Sequence, residues 1–222
     1  MLKLEEVRNL GWDAEEVLPQ VFMIRDFIDQ ADVAALMNEA QSYTEEDWNF
    51  RYINEMKKHA LDKFGTDDLQ SLVDQGLLEV TDDFADKNMS VQNHDILEKL
   101  YERSQPIFDL IGGIDVTGFL VFQRLYEGTQ LKSHFDQYSD KLVQWAAVLY
   151  INDDYTEGEL FFPKFDNFSL RPPPGALVIF PGTQQYEHGV HPVGPGPVRY
   201  VLPAFIKTHH PDGAMAGWGD FG

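Results

Sequence analysis

The chain has 222 residues, of which 43% are apolar, and its 37 acidic and 17 basic side chains give a formal net charge of −20. This length and apolar content suffice for one buried core and favour a single domain. The negative charge disfavours nucleic acid and anionic membranes as partners, and the absence of cysteine excludes disulfides, thiolate catalysis and cysteine-ligated metals.

The first predicted elements are a strand and a helix. Residues 21–27 alternate loosely between apolar and polar and predict a short strand. Residues 28–43 carry apolar side chains at helical spacing and predict a helix, with Asp29 as its N-cap.

Further helices are predicted between this first unit and residue 115. Helical patterns occur at 54–64, 67–80 and 94–112. Pro106 is expected to interrupt the last of these helices or to begin a second piece. The polar segment 45–90 has two interpretations: part of it covers the substrate as a lid, or it forms ordinary helices that support the core.

After residue 116 the chain changes character. Short runs rich in Val, Leu, Ile, Phe and Tyr are separated by turns containing Gly, Pro, Asn and Asp. The runs are 118–126, 142–151, 159–163, 175–181 and 198–207. Several short strands joined by such turns predict an all-β sandwich or barrel, not a parallel α/β sheet. The fold class is therefore α+β, with helices over about 1–115 packed on a mainly β core over about 116–208, and the glycine-rich tail 209–222 is expected to be mobile.

His134 and Asp136 are separated by one residue. On a strand, positions i and i+2 face the same side, so the imidazole and the carboxylate would bind one cation together. A surface histidine beside a solvated aspartate has the same spacing, so the pair alone decides nothing. His188 adds a second imidazole, and two histidines with one carboxylate are the ligand set of non-haem Fe(II) oxygenases.

Arg199 stands at the start of the last apolar run. A guanidinium is costly to bury unless it meets an anion, and it binds a carboxylate through two parallel hydrogen bonds. The alternative is a surface arginine paired with one of the many acidic side chains.

Five segments, in order, resemble the Fe(II)/2-oxoglutarate-dependent oxygenases, specifically their prolyl 4-hydroxylase-like branch. The similar segments are 21–40, 124–138, 147–163, 171–182 and 188–206. The resemblance implies a double-stranded β-helix, a jelly-roll variant, forming a single dioxygenase domain over 1–222. Two positions depart from the family: Gly158-Glu159 replaces the usual Gly-Gly, and Arg199 stands where many collagen-type members have lysine.

The resemblance also implies a metal site. His134, Asp136 and His188 would ligate Fe(II). His191 competes with His188 for this role, and we prefer His188 because the residues after it then match the family pattern. Halogenating relatives leave the carboxylate position vacant, so Asp136 indicates hydroxylation.

Three residues are implied for the cosubstrate. Arg199 would bind the distal carboxylate of 2-oxoglutarate, Tyr150 would offer its hydroxyl to the same carboxylate, and Tyr126 would lie near the other end of the cosubstrate. The implied reaction uses O2 and converts 2-oxoglutarate to succinate and CO2 while a substrate is hydroxylated. Ascorbate is a candidate additional reductant.

The substrate has more than one interpretation. A peptidyl proline is the first candidate, and a free amino acid or another small metabolite is the alternative. A cupin-like barrel that binds a metal or ligand without oxidising anything is a third. The expected partner is thus a peptide or small molecule, with no nucleic acid and no membrane. The N-terminus lacks secretory-signal features and no apolar stretch is long enough to span a bilayer, so we expect a cytoplasmic monomer or homodimer.

Overall fold

The computed structural model describes residues 1–75, 77, 87–138 and 140–208. Its helices are α1 (Leu4–Asn9), α2 (Gln30–Ser42), α3 (Glu45–Phe64), α4 (Leu69–Asp74) and α5 (His94–Leu110). Its strands are β1 (Ala14–Leu18), β2 (Val21–Ile24), β3 (Lys87–Ser90), β4 (Gly113–Gly118), β5 (Val121–Leu125), β6 (Leu131–His134), β7 (Val143–Tyr150), β8 (Leu160–Phe162), β9 (Phe168–Leu170), β10 (Leu177–Pro181), β11 (His188–Val190) and β12 (Arg199–Thr208). The tail 209–222, for which we predicted mobility, lies outside the described residues.

The strands form two antiparallel sheets. The major sheet has the order β1-β2-β10-β7-β12-β5-β3, and β4 also pairs with β12. The minor sheet has the order β6-β11-β8-β9. The prediction of a mainly β core with supporting N-terminal helices is confirmed.

The major sheet is covered on both faces. Along β10, Leu177 and Ile179 pack in the cluster that contains the buried side chains of α2 and α5. Their neighbours Val178 and Phe180 pack on the opposite face, against Leu160 and other residues of the minor sheet. Successive side chains on a strand point to opposite faces, so a strand buried on both sides is apolar at every position. This explains why the C-terminal runs are continuously apolar.

The predicted first unit is confirmed in its main features. The strand expected over 21–27 is β2, at Val21–Ile24. α2 begins after Asp29, whose Oδ1 accepts a hydrogen bond from the Asp32 amide at 2.8 Å. The side chain thus satisfies an amide that has no partner within the helix, and the buried Leu36 anchors α2 on the major sheet.

The predicted interruption at Pro106 is wrong. α5 runs from His94 to Leu110 with Pro106 inside it. Proline cannot donate to the carbonyl of Glu102, but Glu102 lies on the exposed side of the helix, so this carbonyl is not enclosed in the apolar core. Ile107 and Phe108 are buried directly after the proline, and their packing holds the last turns in place.

The beginning of the segment 45–90 supports the β core. α3 starts at a capping box formed by Thr44 and Asp47, so it is longer than the helix predicted over 54–64. Trp48 is fully buried. The first turn of α3 therefore packs against the core, as expected if this part of the segment is a supporting helix. The lid interpretation falls partly on residues 78–86, which are outside the described part of the chain.

Membrane insertion was tested against helix length and hydropathy. Within the described residues, no helix is both long enough and apolar enough to cross a bilayer.

Candidate metal centre

Two histidines face each other across the minor sheet. β6 and β11 pair antiparallel, and His134 lies directly opposite His188 in their register. The two imidazole centroids are 4.6 Å apart. Asp136 follows β6 by two residues, and the ligand atoms of the three side chains all lie within 4.8 Å of one another. The structure thus brings together the three residues that the sequence marked as metal ligands.

Both imidazoles are oriented by backbone carbonyls. Nδ1 of His134 lies 2.8 Å from the carbonyl oxygen of Lys132, and Nδ1 of His188 lies 3.0 Å from that of Tyr186. A carbonyl oxygen only accepts, so each Nδ1 donates and each Nε2 keeps its lone pair in the neutral ring. Such outer contacts fix the tautomer of a metal-binding histidine.

The group places a buried carboxyl beside two imidazoles. Asp136 is buried, and its Oδ2 has no hydrogen-bond partner among the described residues. Burial raises the pKa of Asp136 to about 6, although the nearby His134 opposes this. Burial, reinforced by His134, lowers the pKa of His188 to about 3. Two imidazole nitrogens and a carboxylate oxygen without a partner suit a divalent first-row metal.

The reason we gave for the His134–Asp136 pairing was wrong. β6 ends at His134, and Asp136 begins a short 3₁₀ helix, Asp136–Tyr138. The turn is held by a 3.0 Å hydrogen bond from the Gln137 amide to the carbonyl of Gly182. This turn, and not the alternation of a strand, brings the carboxylate to the imidazole. Phe135 packs edge-on against Tyr138, with 5.9 Å between centroids.

Gly189, in the middle of β11, permits the close approach of the two neighbouring strands, β6 and β8. A Cβ on Gly189 would lie 2.7 Å from the carbonyl oxygen of Leu131 and 2.8 Å from the Phe161 ring. β6 and β8 therefore both approach β11 at a position where only hydrogen fits. The sequence analysis missed Gly189, because glycine in a short strand carries no metal-ligand signal.

His191 occupies a different place from His188. Its ring stacks on Phe161 at 4.3 Å with 17° between the planes, and its Nε2 lies 3.2 Å from the hydroxyl of Ser169. His188 and not His191 is therefore the histidine that lies beside His134 and Asp136.

Arg199 is a buried cation without an anionic partner in the described part of the chain. It opens β12, pairs with Leu125 of β5, and is 1% exposed. Its Nη2 lies 3.4 Å from the hydroxyl of Tyr150. Nε and Nη1 make no hydrogen bond, and no carboxylate of the described residues lies within ion-pair distance. The alternative of a surface arginine is wrong. An unpaired buried guanidinium is costly, so this arrangement fits an incoming carboxylate.

Two tyrosines stand beside this guanidinium. The Cζ of Arg199 lies 5.2 Å from the ring centroid of Tyr150 and 5.8 Å from that of Tyr155. Burial raises the pKa of Tyr150 to about 12, against the opposing charge of Arg199. Sequence analysis missed Tyr155, since nothing in its spacing indicates a site. Tyr126, by contrast, lies in the turn after β5 with 38% of its surface exposed, and its role remains a prediction.

Comparison with known proteins agrees with this geometry. Residues 120–207, which include all of the residues described above as candidate ligands, match the family model of the 2OG-Fe(II) oxygenase superfamily. The chain is thus similar to that superfamily over its C-terminal β core. No curated protein matches the chain in sequence.

Solved structures share the fold of this chain. The viral collagen prolyl hydroxylase of Paramecium Bursaria Chlorella virus-1 is 12% identical, with a TM-score of 0.56 over 86% of this chain and 97% of its own. A Pseudomonas putida prolyl-4-hydroxylase is 18% identical, with a TM-score of 0.53 over 93% and 97%. A Trichoplax adhaerens prolyl hydroxylase, solved with a hypoxia inducible factor peptide fragment, is 12% identical, with a TM-score of 0.52 over 85% and 83%. The fold is thus the predicted double-stranded β-helix.

The superfamily implies Fe(II), 2-oxoglutarate and O2. Among the described residues, the two imidazole lone pairs and the unpaired Asp136 oxygen fit a divalent metal, and the unpaired Nε and Nη1 of Arg199 fit a carboxylate. The residues present therefore suit both groups.

Proposed function

We propose that this chain is a 2OG-Fe(II) oxygenase and that it hydroxylates a proline residue within a peptide. One observation supports the dioxygenase activity in this proposal. The buried Arg199, which has unpaired guanidinium nitrogens among the described residues, lies in the same barrel as the group formed by His134, Asp136 and His188. One subsite suits a metal and the other suits a carboxylate. A dicarboxylic cosubstrate that chelates a metal at one end requires both.

In this proposal His134, Asp136 and His188 hold Fe(II). Three protein ligands leave other coordination positions open for cosubstrate and O2. Bound iron supplies the activation of O2 that drives decarboxylation and hydroxylation. The carbonyls of Lys132 and Tyr186 keep the two imidazoles turned toward the metal.

Arg199 and Tyr150 bind the distal carboxylate of 2-oxoglutarate. His188 and Val190 are two residues apart on β11, on the order of 7 Å along a strand, and Val190 packs in the small apolar cluster that lies beside β5 and β12. The terminal carbons of an extended five-carbon diacid are roughly 5 Å apart by ordinary bond geometry. We propose that the cosubstrate lies with one end at the metal and the other at Arg199. We propose that Tyr126 contacts the metal-proximal end.

Apolar side chains cluster on the strands that carry or pair with the residues of the two subsites. They come from β5, β6, β11 and the turn that follows β11, and they are Leu125, Leu131, Val190 and Val193. A dry wall strengthens the attraction between Arg199 and a carboxylate, because the local dielectric constant is low. It also limits the access of water to the reaction.

The peptidyl-proline substrate rests on the named activities of proteins with the same fold. The viral, Pseudomonas and Trichoplax proteins are all prolyl hydroxylases, and the Trichoplax protein is bound to a peptide fragment. The negative charge of this chain favours basic over acidic peptides by simple attraction. Ascorbate is proposed as an auxiliary reductant that supports repeated turnover.

The proposal is tested by incubating the protein with Fe(II), 2-oxoglutarate and O2 against a panel of proline-containing peptides and free metabolites. Succinate is quantified, and mass spectrometry detects the addition of one oxygen. Each peptide is paired with a version in which alanine replaces proline. Ascorbate is included and omitted in parallel.

His134→Ala and Asp136→Ala are expected to abolish succinate formation while the fold persists, and His191→Ala serves as the matched control with activity retained. Oxygen addition to a metabolite alone would replace the peptidyl-proline assignment by the small-molecule one. The absence of succinate with every substrate would refute the dioxygenase assignment itself.

A further inference from the structure

We infer that the hydroxyl of Tyr155 is a third donor to the distal carboxylate of the cosubstrate, beside Arg199 and Tyr150. The inference rests on the proposed function and extends it to a residue that no family motif marks. It makes Tyr155 a determinant of selectivity for ligands with a second carboxylate.

The first argument is that the hydroxyl of Tyr155 and two nitrogens of Arg199 lack hydrogen-bond partners among the described residues. Tyr155 is 1% exposed, and its hydroxyl has no partner within the part of the chain that the structure describes. The adjacent Arg199 leaves both Nε and Nη1 unpaired. Buried polar groups are almost always hydrogen-bonded, so several orphaned donors side by side indicate a missing acceptor. A carboxylate has two oxygens and about four acceptor sites, enough for all of them.

The second argument is location. The ring of Tyr155 packs with Leu125 and Val190. Leu125 is the register partner of Arg199, and Val190 follows His188 on β11 by two residues. Tyr155 therefore stands where β5, β11 and β12 meet, against the wall of the proposed cosubstrate pocket. A tyrosine placed for packing alone at this depth would be better replaced by phenylalanine, because an unpaired buried hydroxyl is destabilising.

The third argument is that Tyr155 is held in position by a dedicated arginine. Arg171 donates from Nη1 to the carbonyl of Tyr155 and from Nη2 to the carbonyl of Glu157, both at 2.8 Å. Its Cζ lies 5.1 Å from the Tyr155 ring centroid. The carboxylate of Glu159 pairs with the same guanidinium. Arg171 is thus a positioning residue: it fixes the backbone of the turn and covers one side of the ring.

The test compares two ligands that share the same chelating end. 2-Oxoglutarate and 2-oxobutyrate both carry a 1-carboxylate and a 2-keto oxygen, but 2-oxobutyrate lacks the distal carboxylate. Binding of each to the Mn(II)-loaded protein is measured by calorimetry, without turnover. Tyr155→Phe removes the hydroxyl alone and keeps the ring, so the fold is retained.

Tyr155→Phe is expected to lower the affinity for 2-oxoglutarate about 10- to 100-fold, the usual loss for a hydrogen bond to a charged group. The affinity for 2-oxobutyrate should be unchanged. Arg171→Gln is expected to lower 2-oxoglutarate affinity in the same ligand-selective way, by a smaller factor. Tyr101→Phe is the matched control: it removes a hydroxyl that donates to the Gly118 carbonyl at 3.0 Å, away from the site, and both affinities should stay as in the parent.

Equal affinity of the parent and Tyr155→Phe for 2-oxoglutarate would overturn the inference while the proposed function stands. Equal losses for both ligands would also overturn it, because they would show a structural role only. A parent protein that binds 2-oxobutyrate and 2-oxoglutarate equally, or binds neither, would refute the proposed cosubstrate and with it this inference.

Discussion

His134 and His188 are register partners across β6 and β11, and their rings lie 4.6 Å apart. The spacing of the two imidazoles is therefore set by main-chain pairing and not by flexible side chains. A metal held by both would depend on how closely these two strands approach. That approach is controlled by a residue with no side chain, Gly189.

We predict that Gly189→Ala lowers metal affinity by tenfold or more. The added Cβ meets the carbonyl oxygen of Leu131 at 2.7 Å, so β6 must move away from β11. Overpacking of this kind costs about 1–3 kcal/mol. Mn(II) binding followed by calorimetry and unfolding by urea would measure the two effects.

Gly112→Ala is the control for this prediction. Gly112 has a φ of 71° and open space around its Cα, so alanine there costs about 1–2 kcal/mol of backbone strain without touching the site. Similar metal affinities for the two variants would contradict a role for Gly189 in holding the histidines together.

We predict that Arg199→Met separates stability from binding. Among the described residues the guanidinium has no ion-pair partner, and its Nε and Nη1 make no hydrogen bond, so replacing it by an apolar side chain of similar length should leave the free energy of unfolding unchanged or raise it. 2-Oxoglutarate should stabilise the parent protein in a thermal melt and should no longer stabilise the variant. A large loss of stability in the ligand-free variant would show that Arg199 already has a structural partner.

We predict that Glu45→Gln destabilises the fold by about 1–3 kcal/mol. Both oxygens of Glu45 accept from Arg124 at 2.7 Å, and Arg124 is 4% exposed with its Cζ 4.4 Å from the ring of Trp48. Removing the carboxylate leaves a buried guanidinium without its anion. Urea unfolding of Glu45→Gln would be compared with that of Glu46→Gln. Glu46 is an exposed neighbour, and its substitution should change the free energy of unfolding by no more than about 0.5 kcal/mol. Equal effects of the two substitutions would argue against a supporting role of the Glu45–Arg124 pair at the start of α3.

We predict a pH-dependent loss of stability in Asp140→Asn. Partial burial acts to raise the pKa of Asp140, but the hydrogen bonds from Lys207 and from the Leu142 amide, together with the charge of Lys207, outweigh it, and the pKa lies below its ordinary value of 3.8. A lowered folded-state pKa means that the carboxylate stabilises the fold above the unfolded value and loses this effect as pH falls through the folded one. Lys207 is 6% exposed and lies 2.7 Å from Asp140 Oδ2, so the variant also leaves a buried ammonium unpaired.

The measurement is urea unfolding of the parent and Asp140→Asn from pH 7 down to about pH 3. The difference should be largest at neutral pH and should narrow below about pH 4. Asp166→Asn is the control, because Asp166 is exposed and has a φ of 54° that asparagine also adopts. A constant difference across the pH range would argue against the ion pair as its cause.

Local patterns predicted the elements that local forces control. The cap at Asp29 was correct because one side chain and one nearby amide form it. The apolar runs of β7, β10 and β12 were correct because burial on two faces requires apolar residues throughout. The break at Pro106 was wrong because distant core contacts of Ile107 and Phe108 hold the helix together.

The sequence by itself determined the chemical types available: two imidazoles, a carboxylate and an arginine in the order of a known family, on a β core. Only the tertiary structure decided their arrangement. It places Asp136 on a 3₁₀ turn, buries Arg199 without a counter-anion among the described residues, and brings Tyr155 to its side. It also shows what the altered turn at Glu159 does, which is to pair with Arg171 beside Tyr155. These relationships join strands far apart in the chain, and the register of such pairs depends on the whole core and not on the period of any one segment.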